Sequence, residues 1–393
     1  MHWQIFHWIA GSILGLAWFS RIVEAAFGMP QIADIARPEW DRRPSSPGGE
    51  PRVIIIVPAR NEEESIRDTL LQLLALDYSN YEIIAVNDRS TDDTGLKMDE
   101  VAASPQAHGL LKVIHISELP SGWLGKTHAM WTAGQQASGD WLLFTDADVL
   151  FKPDALRRAI AYAEAERADH VVLFPRMIMK RPGEKMMIAF FQALFVFGHR
   201  PWKVADPEAR DHMGVGAFNM VRRSVYDAVG TYRALRMEVL DDMKLGKVVK
   251  NAGFAQRNVF GEDLISLHWA KGAFGIVNNL TKNFFAVLSF QWPRTVVSIL
   301  GLGFLNLGPF LGVWLAHGWA RVPYAIALVS LFLIYYGMSR RSAVPPYYFF
   351  LHPVSTSLFM YTLLRSMAHT LSNDGIVWRG TKYPLDELRK GMV

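Results

Sequence analysis

Hydrophobic and polar positions divide the chain into three kinds of stretch. Residues 3–19 are an apolar run ended by Arg21 and Glu24, with Trp3, Trp8 and Trp18 suited to membrane interfaces. Its length is close to the ~20 residues that cross a bilayer. No basic segment precedes it and no small-x-small site clearly closes it, as a cleaved leader would require. The pattern therefore predicts an N-terminal transmembrane anchor over residues 1–30. Residues 41–50, rich in Pro, Arg, Ser and Gly, read as a linker.

From residue 50 to 265 short apolar runs alternate with helical spacing. Val53-Ile54-Ile55-Ile56-Val57 is a β-branched run of the kind buried on both faces of a sheet. Ile66, Leu70, Leu73 and Leu74 mark a helix, and residues 81–86 a second strand. Residues 112–115, 141–144 and 170–174 predict further strands, with helices over 126–136 and 153–167. This β-α-β-α order implies a mainly parallel, nucleotide-type sheet. Asn61, and Asp92 or Thr91, are placed to cap the first two helices. A Gly-rich turn at 214–219 leads into a strand before Arg222-Arg223, and Asp241-Asp242 opens a helix to Asn251 with Gly253 as its stop.

Elsewhere the pattern is apolar and aromatic. Residues 186–198 form a stripe suited to a core or an interface. Residues 266–292 mix aromatics with Lys271 and Lys282 and predict an amphipathic interfacial segment. Three apolar runs, 296–316, 322–338 and 347–364, make 293–366 a membrane region, followed by a polar tail, 367–393. That tail contains Trp378-Arg379-Gly380-Thr381-Lys382-Tyr383-Pro384. Arg21, Arg42 and Arg43 place residues 30–290 on the cytoplasmic side of a bacterial-type membrane. Arg340-Arg341 and the basic tail ask for the same side, which three full C-terminal spans would not allow. One run, 347–364 with its internal His352-Pro353, is therefore expected to re-enter or to lie in the interface.

Composition narrows the chemistry. The 393 residues contain no cysteine, which excludes a disulfide framework and thiolate catalysis. Net charge is only +4 with no block of like charges, so nucleic acid is not a suggested partner. Asp146 and Asp148 follow the strand at 141–144, on the sheet edge where ligands bind in open α/β folds. At that spacing they can hold one hard cation, Mn or Mg, and through it a diphosphate. Gly125-Lys126-Thr127 is not a P-loop, because Pro120 stands where the motif needs glycine. Lys126 can still meet phosphate at a helix N-terminus. Gly214 and Gly216 permit close approach to a ligand.

Four motifs in order, Val57-Pro58-Ala59-Arg60-Asn61-Glu62, Asn87-Asp88-Arg89-Ser90-Thr91-Asp92, Asp146-Ala147-Asp148 and Leu240-Asp241-Asp242, resemble those of the family 2 glycosyltransferases. The likeness is to membrane-anchored members of the hopanoid-associated and carotenoid subgroup, close over about 50–290. It implies a GT-A type, Rossmann-like nucleotide-sugar domain over 50–265, flanked by transmembrane helices. By that resemblance Pro58, Arg60, Glu62, Asp88 and Lys126 serve the donor, a UDP-sugar being favoured over a GDP-sugar. Asp146 and Asp148 take the metal and diphosphate. Asp242 is the general base, and Asp241 stands where the family usually has Glu. The Gln-x-x-Arg-Trp motif of polymerising relatives is not found after Asp242. His268 and Lys271, with Gly214 and Gly216, are left as acceptor-side candidates. The implied reaction is a single inverting transfer to a lipid acceptor. A short-chain polysaccharide synthase and a catalytically silent scaffold or transport protein are the competing readings.

Overall fold

A computed structural model describes residues 2–44, 49–261 and 263–392. Met1 of the expected anchor, residues 45–48 of the expected linker and Val393 of the tail lie outside the described residues. Two compact units emerge. One combines Ile32–Ile178, Lys203–His268 and Trp378–Val393, and the other Met1–Gln31, Met179–Trp202 and Trp269–Val377. The single span 50–265 expected from sequence is thus interrupted at 179–202 and extended by 32–49 and the tail. The described ends of the linker are held in place: Arg43 pairs with Glu50 and Asp77, and Asp41 with Arg157 and Arg158.

The first unit is built on β1 (Val53–Ala59), β2 (Tyr81–Asp88), β3 (Leu111–Ile116), β4 (Trp141–Phe144), β5 (Leu150–Phe151), β6 (His170–Leu173), β7 (Arg176–Met177), β8 (Asn219–Arg222), β9 (Gln256–Val259) and β10 (Ile265–Leu267). Seven strands form one sheet in the order β3-β2-β1-β4-β8-β6-β9. All neighbours run parallel except β8, which is antiparallel to both β4 and β6. β5, β10 and β7 form a small second sheet.

The period of two along β1 explains the layering. Val53, Ile55 and Val57 point into a core shared with Ile66, Leu70, Leu73 and Met98, on the helices Ile66–Leu74 and Thr94–Ala102. Ile54 and Ile56 point the other way, to Met130, Ala133, Leu245 and Val249 on the helices Gly125–Gln136 and Asp241–Asn251. β1 is buried along its whole length, so both faces must be apolar.

Both capping expectations need correction. Asn61 adopts a left-handed conformation (φ 54°), and its side chain accepts a hydrogen bond from the Thr91 backbone N–H (2.9 Å). Ser65 stands at the start of the first helix instead. Asp93 is the N-cap position of the second, while Asp92 accepts from the Thr94 N–H (3.1 Å) in a local turn. These side chains tie the loops after β1 and β2 to each other rather than ending helices.

β9 carries no alternating apolar signal because its polar positions are used internally. Gln256 donates to His170 Nδ1 (2.7 Å) and to the Gly246 carbonyl (3.1 Å), and accepts from the Met213 N–H (2.8 Å). His170 Nε2 meets Asn219 Oδ1, and Asn219 donates to the Asp242 carbonyl (3.3 Å). Burial pushes the His170 imidazole down to about 4. The unfolded chain takes up that proton near pH 6.5 and the folded protein only near pH 4. Stability from this network is therefore complete above about pH 6.5 and drains away as pH falls toward 4, by roughly 3 kcal/mol. Urea unfolding at pH 7 and pH 4.5 should show it. His170→Gln should be less stable at pH 7 but fall less steeply; an equal slope in both proteins would remove His170 as the cause.

In the second unit, His2–Gln31, Trp292–Leu315 and Gly318–Ser339 are long and apolar enough to cross a membrane. Close helix approach there rests on small residues: a Cβ at Gly15 would lie 2.8 Å from the Pro323 carbonyl oxygen, and one at Gly312 2.2 Å from the Tyr324 ring. The run at 347–364 becomes a 3-10 segment, Pro346–Leu351, and a helix, His352–Ser372. That helix buries His352, Ser355, Thr356, Thr362, Ser366 and Thr370, a longer polar stripe than any on the three apolar helices just named. The aromatic stripe at 186–198 falls in the helix Pro182–Gly198, where Phe190 is fully buried against Phe359 and His352.

Candidate active site

The site lies at the C-terminal ends of β1, β2 and β4, where the parallel strands hand over to loops. Asp88 ends β2 and is buried. Arg89 grips it with two bonds, Nε–Oδ1 at 2.7 Å and Nη2–Oδ2 at 3.0 Å, and Arg60 lies 4.0 Å away. Pro58 is the last residue but one of β1, two positions before Arg60. Glu62 donates its backbone N–H to Thr94 Oγ1 (2.7 Å), leaving its carboxylate to pair with Arg379.

β4 delivers Asp146 and Asp148. Lys126, in the first turn of its helix, bridges Asp146 (2.8 Å) and Asp241 (3.4 Å). Burial alone would favour the neutral amine, but Asp146, Asp241 and Asp242 outweigh it and hold Lys126 charged. Asp148 is pushed up to about 7, first by burial and then by the negative charges of Asp146 and Glu62. Asp242 is also raised, by burial, against the opposing pull of Lys126 and of two backbone N–H groups. Those donors are Gly216 to Oδ2 (2.8 Å) and Met243 to Oδ1 (2.7 Å).

The antiparallel β8 explains how two acidic motifs far apart in sequence converge. The turn before it sets Gly214 and Gly216 directly against the carboxylate-bearing backbone. A Cβ at Gly214 would stand 1.8 Å from the Asp242 carbonyl oxygen, and one at Gly216 2.5 Å from Asp146 Oδ2. Gly216 also accepts from the Asp146 N–H (3.0 Å). Gly216 therefore sits between Asp146 and Asp242, and Gly214 lies against the Asp242 backbone. A tight, almost closed cleft lies here, lined by Lys126, Asp146, Asn219, Tyr232, Asp241 and Asp242 among others.

His268 follows β10 in this unit, whereas Lys271 falls in the apolar unit at the start of the helix Gly272–Thr281. Sequence reading passed over Asn219 and Tyr232, which sit in ordinary apolar contexts. It noted the tail motif without giving Arg379 or Tyr383 a place. The Tyr383 hydroxyl accepts from the Gly125 N–H (3.1 Å), beside Lys126.

Residues 54–243 match the Glycosyl transferase family 2 profile. The chain carries a family 2 glycosyltransferase domain. This glycosyltransferase domain is similar to part of a 4,4'-diaponeurosporenoate glycosyltransferase from Staphylococcus haemolyticus, at 22% identity over 253 residues, 63% of this chain and 65% of that protein. It is also similar to a beta-monoglucosyldiacylglycerol synthase from Synechocystis, at 31% identity over 158 residues, 40% of this chain and 32% of that protein. The aligned stretches thus span less than two thirds of these relatives. Among solved structures, a mannosyltransferase from Pyrobaculum calidifontis, in complex with GDP-Man and Mn2+, aligns with a TM-score of 0.53 and 19% identity, over 93% of this chain and 99% of that one. The glycosyltransferase domain has a GT-A-like α/β fold with a mainly parallel seven-stranded sheet.

Proposed function

We propose that the protein is an inverting, non-processive glycosyltransferase that moves one sugar from a nucleotide-diphosphate sugar to a lipid or membrane-embedded acceptor. The observation that carries this reading is the convergence of Asp146, Asp241 and Asp242 around Lys126 at the edge of β4. The family 2 profile over the same residues supports it. The relatives named for a carotenoid acid and a glucosyldiacylglycerol support a lipid acceptor.

Glu62 and Asp88 take the nucleoside in this reading, with Pro58 and Arg60 shaping the loop between them. The donor set at Asp146 and Asp148 consists of carboxylate oxygens, which suit a hard cation, Mn or Mg. The mutual repulsion that raises Asp148 is the strain such a charge would relieve. Among the described residues no third His, Cys, Asp or Glu completes a cage, so the remaining ligands would be diphosphate and water. When bound, the cation neutralises charge building on the leaving diphosphate. Lys126 adds a fixed positive charge on the same side. Asp242 accepts the acceptor's hydroxyl proton as its oxygen bonds to the anomeric carbon and the bond to the diphosphate oxygen breaks. A single displacement of this kind inverts the anomeric centre.

Among the described residues, three helices are long and apolar enough to span, and they lie before residue 32 and between 292 and 339. With three spans, residues 32–268, Arg340-Arg341 and the tail share one side, which the basic residues mark as cytoplasmic. The packing of the strand Thr381–Pro384 and the helix Leu385–Lys390 with the sheet unit supports the same side for the tail. Inside-out vesicles carrying the full chain, given UDP- or GDP-linked radiolabelled hexose, should produce one labelled lipid with a single added hexose by mass spectrometry. Right-side-out vesicles should not. A ladder of hexose additions would favour the polysaccharide synthase, and no labelled product with any donor would remove the proposal.

A further inference from the structure

The polar tail ends up neither disordered in sequence pattern nor remote from the chemistry. The strand Thr381–Pro384 and the helix Leu385–Lys390 belong to the sheet unit, with Tyr383, Leu385 and Leu388 buried. Two anchors fix the segment to the loop after β1 and to the start of the helix Gly125–Gln136. Tyr383 accepts from the Gly125 N–H at the start of the Lys126 helix. Arg379, at φ 46° and followed by Gly380 at φ 78°, turns back so that its guanidinium meets the Glu62 carboxylate and the Asn61 carbonyl (3.3 Å).

The cations around the donor site differ in how far they are committed. Arg89 is clamped on Asp88 and its side chain is 16% exposed, Arg60 is 17% exposed, and Lys126 is 20% exposed between two aspartates. Arg379 is 37% exposed and holds a carboxylate that is itself reachable by water. An exposed ion pair of this kind is weak and exchanges readily. Tyr383 on the same strap meets the start of the Lys126 helix, and Lys126 holds Asp146 and Asp241, so the strap that carries Arg379 borders the acidic group. A guanidinium fork is the side chain best matched to phosphate oxygens.

We infer that the tail is a strap that completes the donor site, and that Arg379 is a donor-binding residue which exchanges Glu62 for the diphosphate of the incoming nucleotide-sugar. The inference rests on the proposed reading of Glu62, Asp146 and Asp148 as that site. Donor entry then frees the Glu62 carboxylate for the nucleoside, so the two residues change partners together. Tyr383 holds the strap in register at the helix that carries Lys126.

Nucleotide binding to the full chain in detergent with Mn2+ tests this, using UDP and GDP against uridine and guanosine as competitors. Arg379→Ala should weaken the diphosphate about 10- to 100-fold, the range for a hydrogen bond between charged groups, and leave the nucleoside within about twofold. Equal losses for nucleoside and diphosphate would make the strap a structural clasp and overturn the assignment, as would unchanged diphosphate binding. If the alanine variant does not fold, Arg379→Lys carries the test. One ammonium in place of the fork should weaken the diphosphate roughly 3- to 10-fold, and no change there overturns the assignment equally. A wild-type chain that binds neither diphosphate would overturn the donor site itself, a result separable from failure of Arg379 alone.

Discussion

Asp242→Asn should lower transfer by about 10²–10⁴ while nucleoside diphosphate binding stays nearly unchanged. The side chain is half-buried beside Lys126 and Asp146, lines the cleft, and keeps a raised affinity for a proton. A group that must take a proton from a hydroxyl during attack is lost when its carboxylate becomes an amide. The competing explanation is that Asp241 and Asp242 only answer the dipole of the helix they open, worth ~0.3–1 kcal/mol. That role predicts a slightly less stable but active variant. The structure adds one complication: both Asp242 oxygens accept backbone N–H groups, from Gly216 and Met243. An amide can keep only one of these bonds, so some stability, about 1–3 kcal/mol, should be lost with the activity. Transfer rates should therefore be compared well below the melting temperature. Asp241 pairs with Lys126 instead. A dead Asp241→Asn beside an active Asp242→Asn would move the base by one residue.

Removal of divalent metal should abolish transfer, and Asp148→Ala should lower it by roughly 10²–10³ even with Mn2+ restored. The magnitude is that of deleting one group aimed at charge developing in the transition state. Asp146 is already engaged by Lys126 at 2.8 Å, whereas Asp148 is held up near 7 by burial and by Asp146 and Glu62. Of the two, Asp148 thus has more to gain from a cation. Lys126 offers a cation-free rival account, since a fixed ammonium could carry the leaving group alone. Turnover that survives a chelator, with Asp148→Ala fully active, would decide for Lys126.

The fold was legible where one physical cause dominated. The β-branched run at 53–57 can only be satisfied between two apolar layers, and β1 is indeed buried throughout. The helix at 241–251 carries its own start and stop in Asp241, Asp242 and Gly253. What stayed hidden depends on partners distant in sequence. β9 reads as polar because Gln256 spends its side chain on His170, Met213 and Gly246. Asn61 looks like a cap because Asn favours caps, yet the loop after β2 claims it. The acidic residues of the site were visible as motifs, and their convergence required β8 to run against its neighbours. Gly214 and Gly216 read as room for a ligand, and what stands against them in the fold is Asp242 and Asp146.

The contact between Glu62 and Arg379 joins positions 317 residues apart. At ribosomal speeds that interval lasts roughly 15–60 s. Over its last 137 residues (379 − 242), roughly 7–27 s of it, the nascent chain holds all four acidic motifs while the apolar helices between 272 and 372 are still being made. A sheet that has already closed around β1 must therefore wait, with the loop at Asn61 and Glu62 open, until the tail emerges. Newly made protein should for that time bind nucleotide-sugar poorly and so leave the cell's activated hexose untouched until its lipid-side helices are in place.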